Sequence, residues 1–196
     1  MNWTLSWRAD PHARQIADRH YNRQTVGADQ FVPPGRCLVL TAPEALWITS
    51  WPFAEFVKHA WAGAWICSAF RREGGAASAS DLIREAVAAT RWQYGEPPAL
   101  GLVTFVDETV VRPTMVRGVP VYGWTFRKAG FVEVGRTKQQ NLLALQLVPG
   151  AMPAAAEPLG ATLRMPLTQP KVLGRIMPRG GSLGWGKTLA NWKEEP

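Results

Sequence analysis

Apolar and polar positions alternate in NWTLSWRA (residues 2–9), which predicts a strand near the start of the chain. PHARQIADRHY (11–21) switches to helical spacing, with Pro11 at a helix-entry position and Ile16 and Ala17 as the inner face. RCLVLTA (36–42) and EALWITSWP (44–52) are two β-rich runs split by Ala-Pro, which suits a hairpin. AWAGAWICSAF (60–70) is a third such run. SASDLIREAVAATRWQYG (78–95) is the clearest helix. Ser78 or Ser80 can cap it, Leu82, Ile83, Ala86, Val87 and Thr90 form one face, and Gly95 ends it. PALGLVTFVD (98–107) reads as a buried strand and YGWTFRKAGF (122–131) as a short helix ending near Gly130. VEVGRTKQQNLLALQLV (132–148) reads as a closing strand pair. Antiparallel strands followed by helix, strand, helix and strand predict an α+β fold with a mixed, mostly antiparallel central sheet flanked by helices.

The pattern changes after residue 148. Residues 149–196 carry Pro149, Pro153, Pro158, Pro166, Pro170, Pro178 and Pro196 among small residues. The basic residues Arg164, Lys171, Arg175, Arg179, Lys187 and Lys193 are spread through the same stretch. That composition resists a packed core. The division is therefore a domain over 1–148 and a Pro-rich basic extension over 149–196, which drapes over the domain or meets something anionic.

Composition sharpens the picture in three ways. The 196 residues suffice for one domain with its own core. A formal net charge of +7, from 22 Lys and Arg against 15 Asp and Glu, favours polyanions such as nucleic acid or a phosphorylated cofactor. Cys37 and Cys67 lie in no CxxC pair, so neither a disulfide framework nor a zinc site is expected, and Cys67 reads as inert core. No apolar run approaches the length of a membrane span and no signal-like segment follows Met1, so the expected location is the cytoplasm, with no membrane partner.

Two motifs carry a resemblance. YGWTFRKAGFVEVGRT (122–137) resembles the C-terminal signature of the GNAT superfamily of acetyl-CoA-dependent N-acetyltransferases: an aromatic, a short helix, a Gly-Phe and a strand ending in Val-Gly. RREGGA (71–76), between a strand and the best helix, resembles the superfamily's pyrophosphate-binding loop through Arg71, Gly74 and Ala76. Small residues there bring backbone N–H groups close to an anion ahead of a helix N-terminus. The spacing departs from the superfamily, because Ala77 to Ser80 separate the loop from Asp81, an acid at the helix start.

A narrower resemblance covers about residues 12–140. The side-by-side His20 and Tyr21 after the first helix, the strand pair, the Arg-x-Glu loop, a helix, TFVDE and the Tyr–Gly-Phe element resemble the phage Mom proteins. That GNAT-fold family converts adenine in DNA to N6-carbamoylmethyladenine and so protects phage DNA from restriction. The resemblance implies a three-layer GNAT-like fold and places His20 and Tyr21 at an active-site mouth, with Asp107 facing them from a strand end. His20 and Asp107 would act as acid and base or hold a divalent metal such as iron. Ser68, Arg71 and Glu73 would line the same cleft, and Tyr122 takes the superfamily position of a general acid.

The implied partner is double-stranded DNA, and a homodimer is left open. Arg14, Arg19, Arg23, Arg112, Arg117 and Lys138 are candidate phosphate contacts, and ETVVRPTMVRGVPV (108–121) is a candidate DNA-facing loop. Tyr21, Trp51 or Trp92 could offer a stacking surface to an extruded base. Plainer roles stand beside these: His20 as a helix C-terminal cation, Asp107 as a turn cap, Glu73 as a partner of Arg71 or Arg72, and Tyr21 and Tyr122 as packing. Two other functions fit the same residues. One is a conventional acetyl-CoA-dependent N-acetyltransferase acting on a small amine or a protein, and the other is a non-catalytic nucleic-acid-binding protein.

Overall fold

The computed structural model describes residues 1–53, 57 and 60–160. The basic residues from Arg164 onwards, proposed above to meet an anion, lie outside the described residues, as does His59.

The elements in chain order are β1 (Thr4–Ser6), α1 (Pro11–Asp18), β2 (Arg36–Ala42), β3 (Ala45–Trp51), β4 (Trp65–Arg72), α2 (Ala79–Tyr94), β5 (Leu102–Val106), β6 (Thr114–Val116), β7 (Val119–Val121), α3 (Trp124–Lys128), β8 (Val132–Arg136) and β9 (Leu143–Leu147). Seven strands form one sheet in the order β1-β2-β3-β4-β5-β9-β8. All its neighbours pair antiparallel except β4 and β5, which run parallel. The fold is thus α+β with a mixed, mostly antiparallel sheet, as the alternation of strand and helix patterns predicts.

Local chemistry accounts for the boundaries. Asp10 caps α1 by accepting from the N–H groups of His12 and Ala13, and Pro11 follows it. The helix ends at Asp18 rather than Tyr21, which leaves His20 and Tyr21 in a turn. Ser78 caps α2 through the Asp81 N–H. Pro43 and Glu44 form the two-residue turn of the β2–β3 hairpin, where Ala42 faces Ala45. The segment 108–121, expected as a loop, contains a second small sheet of β6 and β7. Its turn residues Arg117 (φ 49°) and Gly118 (φ 79°) both have the positive φ that a two-residue hairpin turn of matching twist needs.

Side-chain alternation sends alternate strand residues to two faces. Leu38, Leu40, Trp47, Trp65 and Cys67 pack with Leu82, Ile83, Ala86 and Val87 of α2. Val39, Leu46, Ile48 and Ala69 pack with Ala13, Ile16 and Ala17 of α1. Trp3, Trp47 and Trp65 are fully buried, so these tryptophans are core. Beneath them Trp47 Nε1 donates to Thr49 Oγ1 at 2.5 Å, Thr49 Oγ1 meets Thr90 Oγ1 at 3.0 Å, and Thr90 Oγ1 donates to the Ala86 carbonyl at 2.8 Å. This hydroxyl chain ties the Trp47 indole of β3 to α2 without an unsatisfied polar group along it.

Candidate functional site

Two irregularities of β4 create the site. The first is a β-bulge. Thr49 pairs with Cys67 and Ile48 with Ala69, so Ser68 has no register partner on β3. Strict alternation would put Trp65, Cys67 and Ala69 on one face. The extra residue instead turns Ala69 to the α1 side while Cys67 stays on the α2 side. The second is the end of the parallel ladder. Pairing of β4 with β5 runs from Trp65–Leu102 to Cys67–Thr104 and stops, although both strands continue. A cleft of about 190 Å³ opens at the carboxyl ends of the parallel pair, where open α/β sheets place their ligands.

Cys67 to Phe70 of β4 form one wall of the cleft and Thr104 to Val106 of β5 the other. His20, Tyr21 and Asn22 lie along its mouth, and Val111, Gly123, Thr125 and Phe126 complete it. The turn after α1 is held over β4 by Asn22, whose Nδ2 donates to the Ser68 carbonyl at 2.8 Å. Ser68 Oγ pairs with Ser50 Oγ at 2.6 Å. Thr104 Oγ1 donates to the Cys67 carbonyl at 3.4 Å across the last rung of the parallel pair.

The His20 and Tyr21 rings stack on one another, 4.6 Å between centroids and 27° between planes. His20 Nδ1 accepts the Asn22 N–H at 3.3 Å. Burial lowers the pKa of the imidazole below its ordinary value and the nearby Arg71 charge pushes the same way, so the ring is neutral at pH 7. Tyr21 remains 45% exposed. Its hydroxyl reaches the Phe105 carbonyl at 3.5 Å, and burial raises its pKa against a smaller lowering by a hydrogen bond with the Asp107 backbone. Tyr21 is therefore a neutral phenol at neutral pH. Asp107 follows β5. Its Oδ1 accepts from the Thr109 N–H at 2.9 Å and the Thr109 hydroxyl at 2.6 Å, closing a turn, whereas its Oδ2 has no hydrogen-bond partner among the described residues.

The remaining expected residues sit elsewhere or are already engaged. Glu73 and Arg71 do not line the cleft; Glu73 is bound by Arg19 through both oxygens (2.6 and 2.5 Å) and by Arg71 Nε at 2.7 Å. The hydrogen bonds from Arg19 and Arg71 hold its carboxyl down at about 2, so it stays ionised at neutral pH and is a poor proton acceptor. Tyr122 packs against the main core and does not line the cleft, although its neighbour Gly123 does. Arg72, not Arg71, shapes the 73–77 loop by donating to the carbonyls of Gly75 and Ala77. A side chain at Gly74 would collide with the Glu44 carboxylate, so an anion of the protein itself faces that glycine.

The candidate phosphate contacts divide in two. Arg14 pairs with Asp29 at 2.6 Å, and Arg23 is enclosed by Asp18 and the carbonyls of Ala28 and Gln30. With Arg19 on Glu73, these three arginines hold the 18–30 segment in place. Arg112 and Arg117 stand exposed on the β6–β7 segment, and Lys138 is exposed in the β8–β9 turn. Among the candidate stacking aromatics, Tyr21 is at the cleft. Trp51 is half-buried with Trp65, Tyr94 and the Arg36 guanidinium, and Trp92 is half-buried on α2.

No family model, curated protein or solved structure matches the chain. The site is therefore read from its own chemistry. Among the described residues no group of three or more His, Cys, Asp and Glu side chains is arranged to hold a metal ion. His20 Nδ1 and Asp107 Oδ1 already accept backbone hydrogen bonds, which leaves His20 Nε2 and Asp107 Oδ2 as the atoms of the expected pair that could ligate iron. No helix among the described residues is long and apolar enough to cross a membrane.

Sequence reasoning passed over Asn22 and Thr104. Asn22 follows the conspicuous His-Tyr pair directly, and Thr104 is the one hydroxyl inside the apolar run LVTFV. A polar side chain in a buried strand calls for a partner. The partner here is the carbonyl at the point where the strands part.

Proposed function

We propose that the chain is a GNAT-like transferase that modifies adenine in DNA in the manner of the Mom proteins. The observation that carries the reading is the His20–Tyr21 stack lining a narrow cleft, with Asp107 one residue beyond the cleft-lining Val106 and not itself in the lining. At about 190 Å³ the cleft is smaller than the ~300–1,000 Å³ of pockets that enclose drug-sized ligands. It suits one flat ring better than a whole nucleotide cofactor. A base extruded from a duplex needs a ring face to lie on and polar groups to read its edge. Tyr21 offers the face, and Asn22, Ser68 and Thr104 supply polar groups along the walls. In this reading Asp107, at the end of β5, accepts the proton that the adenine amino group must lose, and the neutral Tyr21 hydroxyl is a donor in the cleft. His20 positions Tyr21 by stacking. The single parallel pair in a mixed sheet, with the cleft at its open end, supports the GNAT-like topology that the motifs imply.

The alternative of an ordinary acetyl-CoA-dependent acetyltransferase draws on the same cleft. It is less favoured because the Glu44 carboxylate faces Gly74 and Arg71 is held by Glu73. A pyrophosphate would have to displace one carboxylate and break the other's ion pair. The deciding experiment is mass spectrometry of nucleosides from the DNA of cells expressing the protein or its Asp107→Ala variant. A modified deoxyadenosine present with the wild type and absent with the variant is the expected result. An unmodified profile with the wild type, together with saturable acetyl-CoA binding, would replace this reading with the acetyltransferase.

A further inference from the structure

Among the described residues, β6 and β7 are the two strands that stand outside the seven-stranded sheet. They form their own two-stranded sheet and pair with none of the seven strands. A lone hairpin is marginal in water and needs a reason to be held. Three apolar side chains of residues 108–121 are exposed, Val110 at 56%, Met115 at 62% and Val119 at 59%, while Val111, Val116 and Val121 are partly buried. Met115 and Pro120 face each other across the ladder and share one face, with Val119 on the opposite face. Between Glu108 and Glu133 the sequence contains no acidic residue, while Arg112 and Arg117 project from it. Arg117 sits at the tip, in a left-handed conformation that fixes where its side chain leaves the backbone.

Its placement matters most. Both roots of the segment belong to the cleft. Val111 lines it and donates its N–H to the Asp107 carbonyl at 2.9 Å, and Gly123, just after β7, lines it at the other end. A cationic hairpin with an apolar flank thus rises from the rim of a base-sized cleft. The register sets Met115 opposite Pro120, so one flank presents an apolar edge free of hydrogen-bonding side chains.

We propose that this hairpin is the duplex-entering probe of the protein: Arg112 and Arg117 grip backbone phosphates and Met115 wedges between base pairs beside the cleft. The proposal rests on the DNA-modifying reading above. Its occupant is double-stranded DNA, because the uncovered surface joins positive charge without acid to an apolar wedge. That combination serves proteins that unstack a base step. A protein partner of ordinary composition would not select for the absence of every carboxylate.

The test uses the full chain and mixed-sequence duplexes carrying 2-aminopurine, whose fluorescence rises when it leaves the stack. Wild type should bind the duplex with steep salt dependence and raise the fluorescence. Arg112→Ala and Arg117→Ala should each reduce the log–log salt slope by about one. Met115→Ala should bind with affinity within a few-fold of wild type and lose most of the fluorescence rise. Circular dichroism establishes that each variant is folded, and Met115→Gln serves as a second wedge variant if Met115→Ala is unstable. Unchanged slopes and unchanged fluorescence in all variants would overturn the proposal, as would wild type failing to bind duplex. A wild-type dimer in sedimentation that Met115→Ala dissociates, without any effect on DNA, would assign the hairpin to a second copy instead. Nucleoside analysis of duplex and single-stranded DNA incubated with wild type or Met115→Ala in cell extract, which supplies the small-molecule group donor, keeps the two readings apart. Loss of modification on duplex with retention on single strands belongs to the hairpin, whereas no modification of either by wild type removes the catalytic reading alone.

Discussion

Glu73 shows how one side chain's electrostatics separates scaffold from chemistry. Arg19 first and Arg71 second hold its carboxyl at about 2 against an ordinary value of 4.5. The folded state therefore favours the ionised form. Its stabilisation is fully present above about pH 4.5 and is lost as the pH falls towards 2. The group is open to solvent, which screens the pair and keeps the effect modest. Urea unfolding at intervals between pH 5 and pH 2 should show the wild type losing stability more steeply than Glu73→Gln, with the two curves converging at the acid end. Parallel curves would mean that the pairing contributes nothing. The sequence could show that an acid stood beside Arg71 and Arg72. It could not show that Arg19, 54 residues earlier, would claim both oxygens, because side-chain partners across that distance are set by how α1 lies on β4. The same limit applies to Arg14 and Arg23, which look like free cations in sequence and prove to be internal ties. His20 and Tyr21 were legible for the opposite reason, since neither a core nor a helix calls for that pair beside Arg19 and Asn22.

Among elements, strand and helix types followed from periodicity, but two breaks in periodicity built the site. The Ser68 bulge lies inside WICSAFRR, where alternation alone gives no sign of an extra residue. The parting of β4 from β5 depends on a non-local pairing. The turn from β7 into α3 was more visible, because Gly123 interrupts an aromatic run. Gly123 has φ 63° and caps α3, and a Cβ there would strike Leu145 Cδ1, a fully buried core atom. Gly123→Ala should cost about 1–3 kcal/mol from strain and overpacking together and should distort the cleft floor that Thr125 and Phe126 share. Gly150→Ala is the control, since no atom lies within 4 Å of a Cβ at that position and the lost chain entropy of the unfolded state makes it neutral or slightly stabilising. Chemical denaturation of the two variants checks the difference, and equal midpoints would show that Leu145 yields without cost.

For the molecule as a whole, the question is what holds the open edge at β1. Residues after β9 do not stop at Val148. A 3-10 turn over Pro149–Ala151 leads into Met152, which is buried in the main core. Arg91 Nη1 donates to the Pro153 carbonyl at 2.9 Å, and the Ala156 N–H donates to the Ala88 carbonyl at 3.1 Å. The Leu159 N–H then reaches the Trp3 carbonyl at 2.8 Å, its carbonyl accepts the Leu5 N–H at 3.1 Å, and Thr4 and Leu159 form a parallel bridge. This strap crosses α2 and supplies the short edge strand β1 with the backbone partner its outer side lacks, so the edge is less open to pairing with another chain. A chain ending at Val148 loses the burial of Met152, about 2–3 kcal/mol for a large apolar side chain, and leaves the β1 edge bare. With roughly 2–4 °C per kcal/mol for a chain of this size, it should melt about 5–10 °C below a chain ending at Gly160. It should also show more concentration-dependent association. Calorimetry of the two truncations beside the complete chain reads both effects. Equal melting temperatures would mean that residues 149–160 rest on the domain without stabilising it.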